Sequence, residues 1–309
     1  MANLMFNPTN GQWINLDKPG GQVFFVGGGT VAYKGKGASS SNSGLRPEHP
    51  LTGTTTSAST GLNAVMDKVV TGRGDTIVVL PGGFTNTAVT TIDKDDVTLT
   101  GVSPTGNTNP SAISINAAID GISVTGANVI IENLHFPAAG TAAQTSVIDV
   151  GAAGLTVRGC TFAVATHNLD TITITAAGLH TLIENNRFYC ENNGPDSAVV
   201  IENAAAHFVK IQYNEFNGQN LTNSWDEAAV ESTVAHLSCL VLYNHFTQIA
   251  AHSIQFSAAA TGIIAHNVFG ASAGTLGSML DPGSCICHDN WEGDDVDQKA
   301  REFPTTAAS

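Results

Sequence analysis

The sequence predicts an all-β fold, a right-handed parallel β-helix (solenoid) that opens with a short N-terminal capping helix. A six-residue pattern ending in Phe recurs every 23 to 30 residues, and a second strand pattern precedes each copy. The connecting segments are short and rich in Gly, Ala and Asn, which leaves no room for helices between strands. Charged residues make up only 12% of the chain, and this composition favours β-structure with many tight turns. Units of this length bury an apolar face only by stacking on their neighbours.

The repeated pattern consists of an aliphatic residue, three variable residues, one outward residue and Phe. Its six copies are Ile131–Phe136, Val157–Phe162, Ile183–Phe188, Ile211–Phe216, Val241–Phe246 and Ile264–Phe269. A seventh, degenerate copy ends at Trp291. Stacking predicts a buried Phe column that contains Phe136, Phe162, Phe188, Phe216, Phe246 and Phe269.

The residue two places before Phe is Asn in the last four copies, namely Asn186, Asn214, Asn244 and Asn267. An Asn at the same place in successive coils predicts an inward amide ladder, in which each side chain hydrogen-bonds the Asn above and below. A leucine-rich repeat also places Asn after aliphatic residues. That fold needs Leu at several fixed positions, whereas Ile, Val and Ala occupy them here.

The chain divides into four predicted parts. These are an N-terminal attachment segment (1–34), a linker with the capping helix (35–74), the parallel β-helix (75–291) and a C-terminal cap or tail (292–309). The helix is predicted because four apolar residues recur at i, i+3, i+4 and i+7, namely Leu62, Val65, Met66 and Val69. It is placed to cover the open solenoid end, which would otherwise expose core and unpaired strand edge.

Charge and composition exclude several classes of partner. The net charge is −14, and the 12 basic residues form no run, so we expect no nucleic acid and no anionic membrane as partner. No apolar run approaches the roughly 18 residues that span a bilayer. The first residues lack the basic and apolar regions of a secretory signal.

The number of cysteines, five, is odd, which argues against a full set of disulfides. We expect buried free thiols in a reducing cytoplasm.

The order of these segments carries a family resemblance. The run SNSGLRPEHPLT (41–52), a short helix, GRGDTIVVLPGG (72–83) and coils ending in Asn-x-Phe resemble pectate-lyase-like β-helix proteins. The likeness covers roughly residues 37–291 and is closest to the β-helix modules of tailed-phage virion appendages, such as spikes, fibres and capsid-surface proteins. It implies a homotrimer that is assembled in the host cytoplasm and located in the virion. It is specific for fold and weak for function, since one fold hosts many functions.

The resemblance also suggests where to look for catalysis. A family lyase would place acidic Ca²⁺ ligands and a basic residue on one outer face, and a family hydrolase would place a carboxylate pair there. Two outward columns follow from the repeat: Glu132, Arg158, Glu184, Gln212, Leu242, Ala265, and His135, Thr161, Arg187, Glu215, His245, Val268. Alternating charges along them favour a charge ladder over a carboxylate pair with a base. We therefore predict no catalytic residue and no cofactor. His266 and His288 share a column, but one such pair predicts no metal site.

The longest unit contains the candidate saccharide-binding segment, 217–236. It brings together Trp225, Asp226, Glu227 and Glu231. An exposed Trp beside carboxylates is typical of a sugar platform, and long loops on a rigid scaffold often bind ligands. The alternatives are a Trp that packs back on the coil and a trimer contact.

Two functions follow from these observations. The favoured one is a non-enzymatic phage virion structural protein, a β-helix appendage or capsid-surface protein that acts through oligomer and particle contacts. Its predicted partners are itself, as a homotrimer, and other virion proteins, with a host surface polysaccharide as a further candidate. Stretches of small residues, such as 203–207 and 257–261, favour close approach between copies. The alternative is a polysaccharide-degrading tailspike or lyase.

Overall fold

The structure is a computed structural model that describes most of the solenoid and parts of both termini. The described residues are 4–7, 12–15, 21–26, 62–63, 65–86, 88–102, 110–115, 118–137, 145–164, 170–175, 178–190, 195–218, 224–249, 252–270, 279–293 and 300–302. Their strands, in chain order, are β1 (Leu4–Asn7), β2 (Gln12–Asn15), β3 (Val23–Val26), β4 (Thr76–Val79), β5 (Gly82–Asn86), β6 (Thr90–Ile92), β7 (Thr98–Gly101), β8 (Ser111–Ile115), β9 (Ile122–Val124), β10 (Ile130–Glu132), β11 (His135–Phe136), β12 (Ser146–Val150), β13 (Thr156–Arg158), β14 (Thr161–Val164), β15 (Asp170–Ile174), β16 (Leu182–Glu184), β17 (Arg187–Cys190), β18 (Ser197–Ile201), β19 (Lys210–Gln212), β20 (Glu215–Asn217), β21 (Ala228–Ser232), β22 (Cys239–Leu242), β23 (His245–Thr247), β24 (His252–Phe256), β25 (Gly262–Ala265), β26 (Val268–Gly270), β27 (Leu280–Asp281), β28 (Ile286–His288), β29 (Trp291–Gly293) and β30 (Ala300–Glu302).

Three sheets wrap the chain into a solenoid, and this confirms the all-β parallel architecture. The first sheet has the order β3-β4-β7-β10-β13-β16-β19-β22-β25-β28. The second has the order β5-β8-β11-β14-β17-β20-β23-β26-β29-β30, and the third has the order β6-β9-β12-β15-β18-β21-β24-β27. From β4 to β29 a coil contributes one short strand to each sheet, and these strands pair in parallel with their counterparts one coil away, whereas β30 pairs antiparallel with β29.

The core follows from this register, because equivalent residues of successive coils stack directly. Phe162 pairs with Phe188, and Phe188 pairs with Phe216. The Phe rings from Phe136 to Phe269 lie parallel, with centroids 4.8 to 5.0 Å apart. This spacing is the distance between hydrogen-bonded strands, so the backbone pitch and the ring stack match.

An amide ladder runs beside the Phe column. Asn186 Nδ2 donates to Asn214 Oδ1 at 3.1 Å, and Asn214 Nδ2 donates to Asn244 Oδ1 at 3.0 Å. The ladder continues through Asn267 to Asn290, again at 3.0 Å per step. Each Nδ2 also donates to the carbonyl of an aliphatic strand residue one coil back. The side-chain amides of Asn214, Asn244 and Asn267 thus use both their Nδ2 and Oδ1 atoms in hydrogen bonds, which offsets the cost of placing them in an apolar core.

A left-handed backbone bend joins the first-sheet strand to the second-sheet strand in the seven coils that start with β10, β13, β16, β19, β22, β25 and β28. The bend residue lies three places before the Phe position and has φ between 51° and 60°, as at Asn133, Asn185, Tyr213 and Tyr243. Asn tolerates this conformation better than most residues. Gly159 fills the same place, where an added Cβ would lie 2.9 Å from Asn133 Oδ1. In each of these seven coils the bend directly precedes the residue that points into the core at the ladder position.

The N-terminal part differs from the prediction. The strand β3 pairs in parallel with β4, so the first sheet begins before residue 75, where we predicted the solenoid to start. The hairpin of β1 and β2 was not predicted, because its two four-residue strands carry no repeat pattern.

The predicted capping helix is not confirmed. Residues 57–61 and 64 lie outside the described residues, and helical backbone is described there only at 62–63 and 65–66. The four apolar residues of the predicted helix face are nonetheless buried and belong to the core cluster, namely Leu62, Val65, Met66 and Val69.

The five cysteines are free and buried. In the described part of the chain, no helix has the length and apolar character needed to cross a membrane.

Candidate functional site

The segment predicted to bind a saccharide has its tryptophan inside the solenoid. Trp225 is 1% exposed, and its ring meets Phe216 edge-on with centroids 6.2 Å apart. The prediction of an exposed Trp platform is therefore wrong, and the alternative of a Trp that packs back on the coil is what the structure shows. The indole Nε1 has no hydrogen-bond partner among the described residues. Saccharide binding by the remaining residues of this segment stays a prediction.

The carboxylates of that segment belong to the outer surface of the third sheet. Glu231 lies on β21, is buried, and accepts a hydrogen bond from Ser197 Oγ at 2.8 Å. Burial raises the pKa of Glu231, and the charge of Glu227 raises it further. Asp226 and Glu227 are exposed. Their backbone N–H groups donate to carbonyls of the preceding coil, which fixes them beside the third sheet.

An acidic groove of about 460 Å³ runs across the third sheet. Its lining residues are Asp120, Thr145, Ser146, Asp149, Asp170, Thr173, Thr175 and Glu202. Hydroxyl groups hold two of the carboxylates. Asp120 accepts from Thr145 and Ser146, and Asp149 accepts from Thr175 Oγ1 at 2.7 Å.

Asp170 is the carboxyl group of the groove with the most perturbed protonation. Burial, together with the nearby carboxylates of Asp196, Glu202 and Glu231, raises the pKa of Asp170 from 3.8 to about 7. A hydrogen bond from the Ser197 N–H at 3.2 Å opposes the shift only in part. At neutral pH the Asp170 carboxyl group is therefore close to half protonated.

Thr173 lines the same groove and supplies an unused hydrogen-bonding group. Its side chain is buried, and its Oγ1 has no hydrogen-bond partner among the described residues. Among the described residues that line the groove, none is Lys or Arg. Carboxylates without a basic partner repel a polyuronate, so the groove suits a neutral sugar, a hydroxylated ligand or a cation.

The outward columns of the first and second sheets form a charge ladder. Arg158 binds Glu132 at 2.7 Å, and Gln212 Nε2 donates to Glu184 at 2.8 Å. Because Arg158 is engaged in this ion pair, Glu132 and Glu184 do not form a carboxylate pair with a free base between them. A second ion pair joins Arg187 to Glu215 at 3.0 Å.

Two members of these columns are covered, although we predicted them to point outward. Thr161 and Ala265 keep the predicted register but are buried. Both are small, so the larger side chains of adjacent coils close over them.

The later coils of the first sheet expose an apolar face, defined here as the outward side chains of β22, β25 and β28 together with the apolar residues that flank β19 and β22. Its members are Phe208, Tyr213, Leu237, Leu240, Leu242, Tyr243, Ile263 and Ile286. Pairing aligns Leu240, Ile263 and Ile286 in one row, and Ile286 is 64% exposed. This face carries no carboxylate among its members. It continues the column that holds Thr156 and Leu182 in earlier coils.

Aromatic rings border the apolar face along one edge. Tyr213, Tyr243 and His266 occupy successive bends, and their rings stack at 5.0 and 4.7 Å. The faces of these rings therefore pack against each other, and mainly the ring edges reach solvent.

The two histidines predicted to share a column do not do so. The register places His288 opposite Ala265, so that prediction is wrong by one residue. Their rings still meet, with centroids 5.5 Å apart.

Sequence reasoning missed both the acidic groove and the apolar face. The signal for the groove was available in the strands of the third sheet, where aligning SVIDV with DTITI places Asp149 and Asp170 on neighbouring strands. The signal for the apolar face was the replacement of Glu and Arg by Leu242 and Ala265 in the outward column. The groove becomes visible only when the columns of the third sheet are aligned, and the apolar face only when the row of Leu240, Ile263 and Ile286 is aligned beside the two columns next to Phe.

Three parallel sheets, a Phe column and an Asn ladder define this chain as a parallel β-helix protein with a pectate-lyase-like fold. The sequence matches no protein-family model and no curated protein. A pectate lyase from a Bacillus species, solved with trigalacturonate, has a TM-score of 0.50 at 11% identity and covers 94% of this chain and 90% of its own. This likeness establishes the fold alone.

Two other solved structures are similar over part of their length. The ORF18 protein of Geobacillus virus E2 has a TM-score of 0.41 at 13% identity, and the match covers 82% of this chain and 62% of the viral protein. The PL6 family alginate lyase AlyGC has a TM-score of 0.42 at 13% identity, and the match covers 74% of this chain and 36% of the lyase. This chain thus spans less than two thirds of either protein.

Proposed function

We propose that this chain is a right-handed β-helix of a bacteriophage virion, a non-enzymatic structural protein on the capsid surface or on a tail appendage. It acts through contacts with copies of itself, as a homotrimer, and with other virion proteins after assembly in the host cytoplasm. The resemblance of residues 37–291 to phage β-helix modules supports this proposal, and the observation that carries it is the apolar face of the first sheet.

The apolar face is the part of the described surface best suited to association. Soluble monomers rarely expose a contiguous patch of large apolar side chains, and such patches mark interaction sites. With a net charge of −14, two copies repel each other unless they meet where carboxylates are absent. The row of Leu240, Ile263 and Ile286 satisfies that condition. Its strands run parallel to one another, so identical faces can meet around an axis along the solenoid, as closed symmetry requires.

Light scattering after size-exclusion chromatography tests the proposal. We expect a species of about three times the 31.9 kDa chain mass, and we expect the double variant Leu240→Lys with Ile286→Lys to be a monomer. Both side chains point outward, so the variant should keep its β-sheet circular dichroism. Val268→Lys is the matched control, since Val268 is also exposed but belongs to the second sheet. A monomeric wild-type chain at micromolar concentration, or equal dissociation by the control, contradicts the proposal.

A glycan-cleaving enzyme is the second candidate, and the acidic groove favours it. Glycoside hydrolysis needs one carboxyl group that is protonated at working pH and another that is ionised. Asp170, with a pKa of about 7, fits the first role, and Asp149 or Glu202 of the same groove would take the second. Host surface polysaccharide would be the substrate.

Incubation with neutral and acidic capsular polysaccharides, followed by a reducing-end assay, separates the two functions. Cleavage that Asp170→Asn abolishes would replace the structural proposal with the enzymatic one. Ser123→Ala, which alters a neighbouring hydroxyl of the same sheet that donates weakly to Asp149 at 3.4 Å, is the control. No new reducing ends with any tested glycan supports the structural proposal.

A further inference from the structure

The last described coils bring three metal-ligating side chains together on the outside of the solenoid. His266, His288 and Asp289 each offer one donor atom, and these atoms lie within 4.8 Å of one another. Asp289 Oδ2 is 2.9 Å from His288 Nδ1 and 3.9 Å from His266 Nδ1. The carboxylate thus lies between two imidazoles, at the edge of the apolar face.

The backbone holds these residues in place independently of any ligand. His266 and Asp289 are the left-handed bend residues of adjacent coils, with φ of 58° and 51°. His288 ends β28, which pairs with β25 through Ala265. The Asn267–Asn290 step of the amide ladder lies directly after both bends. Donors fixed on rigid, adjacent elements lose little freedom on binding, and this favours a metal ion.

The geometry points to a binding site for a divalent transition metal ion of the zinc type, formed by His266, His288 and Asp289. Two imidazoles and one carboxylate are the ligand set of three-coordinate protein sites that leave a fourth position to water. In a tetrahedral site with bonds of about 2.0–2.2 Å, neighbouring donors lie about 3.3–3.5 Å apart. The donor atoms here differ from that spacing by about 1.5 Å or less, which rotation of exposed side chains covers.

The choice of metal follows from the donors. Imidazole nitrogen suits Zn²⁺, Ni²⁺ and Cu²⁺, whereas Ca²⁺ and Mg²⁺ prefer all-oxygen sites. Cys285 and Cys287 are close in sequence, but both are buried, so their sulfur atoms lie on the other side of the strand from the proposed site. The side chains of His266, His288 and Asp289 are 37%, 40% and 50% exposed, and an ion reaches them from solvent.

Isothermal titration of the untagged chain with ZnCl₂, after treatment with EDTA, tests the site. We expect one Zn²⁺ per chain with a micromolar dissociation constant. His266→Ala, His288→Ala and Asp289→Asn should each weaken binding at least tenfold. Asp289→Asn keeps a residue that tolerates the left-handed bend, so its loss of affinity does not come from misfolding. His245→Ala is the matched control, because His245 is an exposed histidine of the second sheet.

Thermal unfolding supplies a second readout that needs no heat of binding. Excess Zn²⁺ should raise the midpoint of the wild-type chain and of His245→Ala, but not that of His288→Ala, since an ion that binds only the native state stabilises it. Absence of Zn²⁺ binding by the wild-type chain at 100-micromolar metal, or equal affinity in the three site variants, overturns the inference. Equal weakening by His245→Ala overturns it as well.

Discussion

The amide ladder allows a sharp stability prediction for Asn214→Ala. The Asn214 side chain makes four hydrogen bonds. Its Nδ2 donates to Ile183 O at 2.9 Å and to Asn244 Oδ1 at 3.0 Å. Its Oδ1 accepts from the backbone N–H of Asn186 at 2.9 Å and from Asn186 Nδ2 at 3.1 Å. Alanine removes all four and leaves the backbone of the coil in place.

The magnitude follows from the groups that lose their partner. The Asn186 amide N–H and the Ile183 carbonyl each lose the Asn214 side chain as a partner, in a core where Asn214 is only 2% exposed. An unsatisfied buried polar group costs about 1–3 kcal/mol. We therefore expect Asn214→Ala to lower the free energy of unfolding by about 2–6 kcal/mol.

Urea denaturation followed by circular dichroism measures this loss, and hydrogen exchange of the Asn186 amide locates it. Gln212→Ala is the control two residues away. Gln212 points outward, and its hydrogen bond to Glu184 is worth less than about 1 kcal/mol at a solvated position. If the two variants lose equal stability, or if Asn186 exchange is unchanged in Asn214→Ala, the ladder does not contribute as inferred.

Three further predictions concern packing and pH. Phe216→Ala should cost about 3–5 kcal/mol in urea denaturation, since it leaves a cavity in the ring stack, and a loss below 1 kcal/mol would contradict stacking. Burial lowers the pKa of His236 to about 4 from 6.5, so the native state resists protonation and stability should fall as pH decreases from 6.5 to 4, by about 3 kcal/mol in full. His236→Gln should flatten that part of the stability–pH curve, and an unchanged curve would refute it. Asp170 changes stability with pH in the opposite direction to His236. Its folded pKa of about 7 lies above the unfolded value of 3.8, so its stabilising contribution to the free energy of unfolding is fully present below pH 3.8 and is lost as pH rises through 7. Asp170→Asn should therefore raise the melting temperature at pH 8 more than at pH 4, and the reverse order would contradict the assignment.

The repeat pattern was sufficient to predict the solenoid because every copy occupies the same position in its coil and therefore faces the same buried surroundings. A single Asn before Phe is weak evidence, but Asn186, Asn214, Asn244 and Asn267 at matching places leave few folds that satisfy all four. The register followed from the same alignment, since a slip of one residue would turn every Phe outward.

Features that depend on a single loop or on one end of the chain were not predictable in this way. Burial of Trp225 depends on the path by which the loop returns to the coil, and no repeat constrains that path. The hairpin of β1 and β2 lies outside the repeats. The perturbed Asp170 needed four carboxyl groups from three successive coils to be placed in space, which a comparison of columns beside Phe does not do.

Because ring spacing and strand spacing match, the length of the solenoid along its axis is set by the number of coils. Each coil advances the axis by the 4.8 Å that separates Phe188 from Phe216, whether the unit contains 23 residues or 30. Length along the axis is thus counted in coils and is independent of how much chain each return carries. Duplicating one coil would move everything beyond it by one such step, while enlarging a return would thicken the molecule locally and leave its reach unchanged.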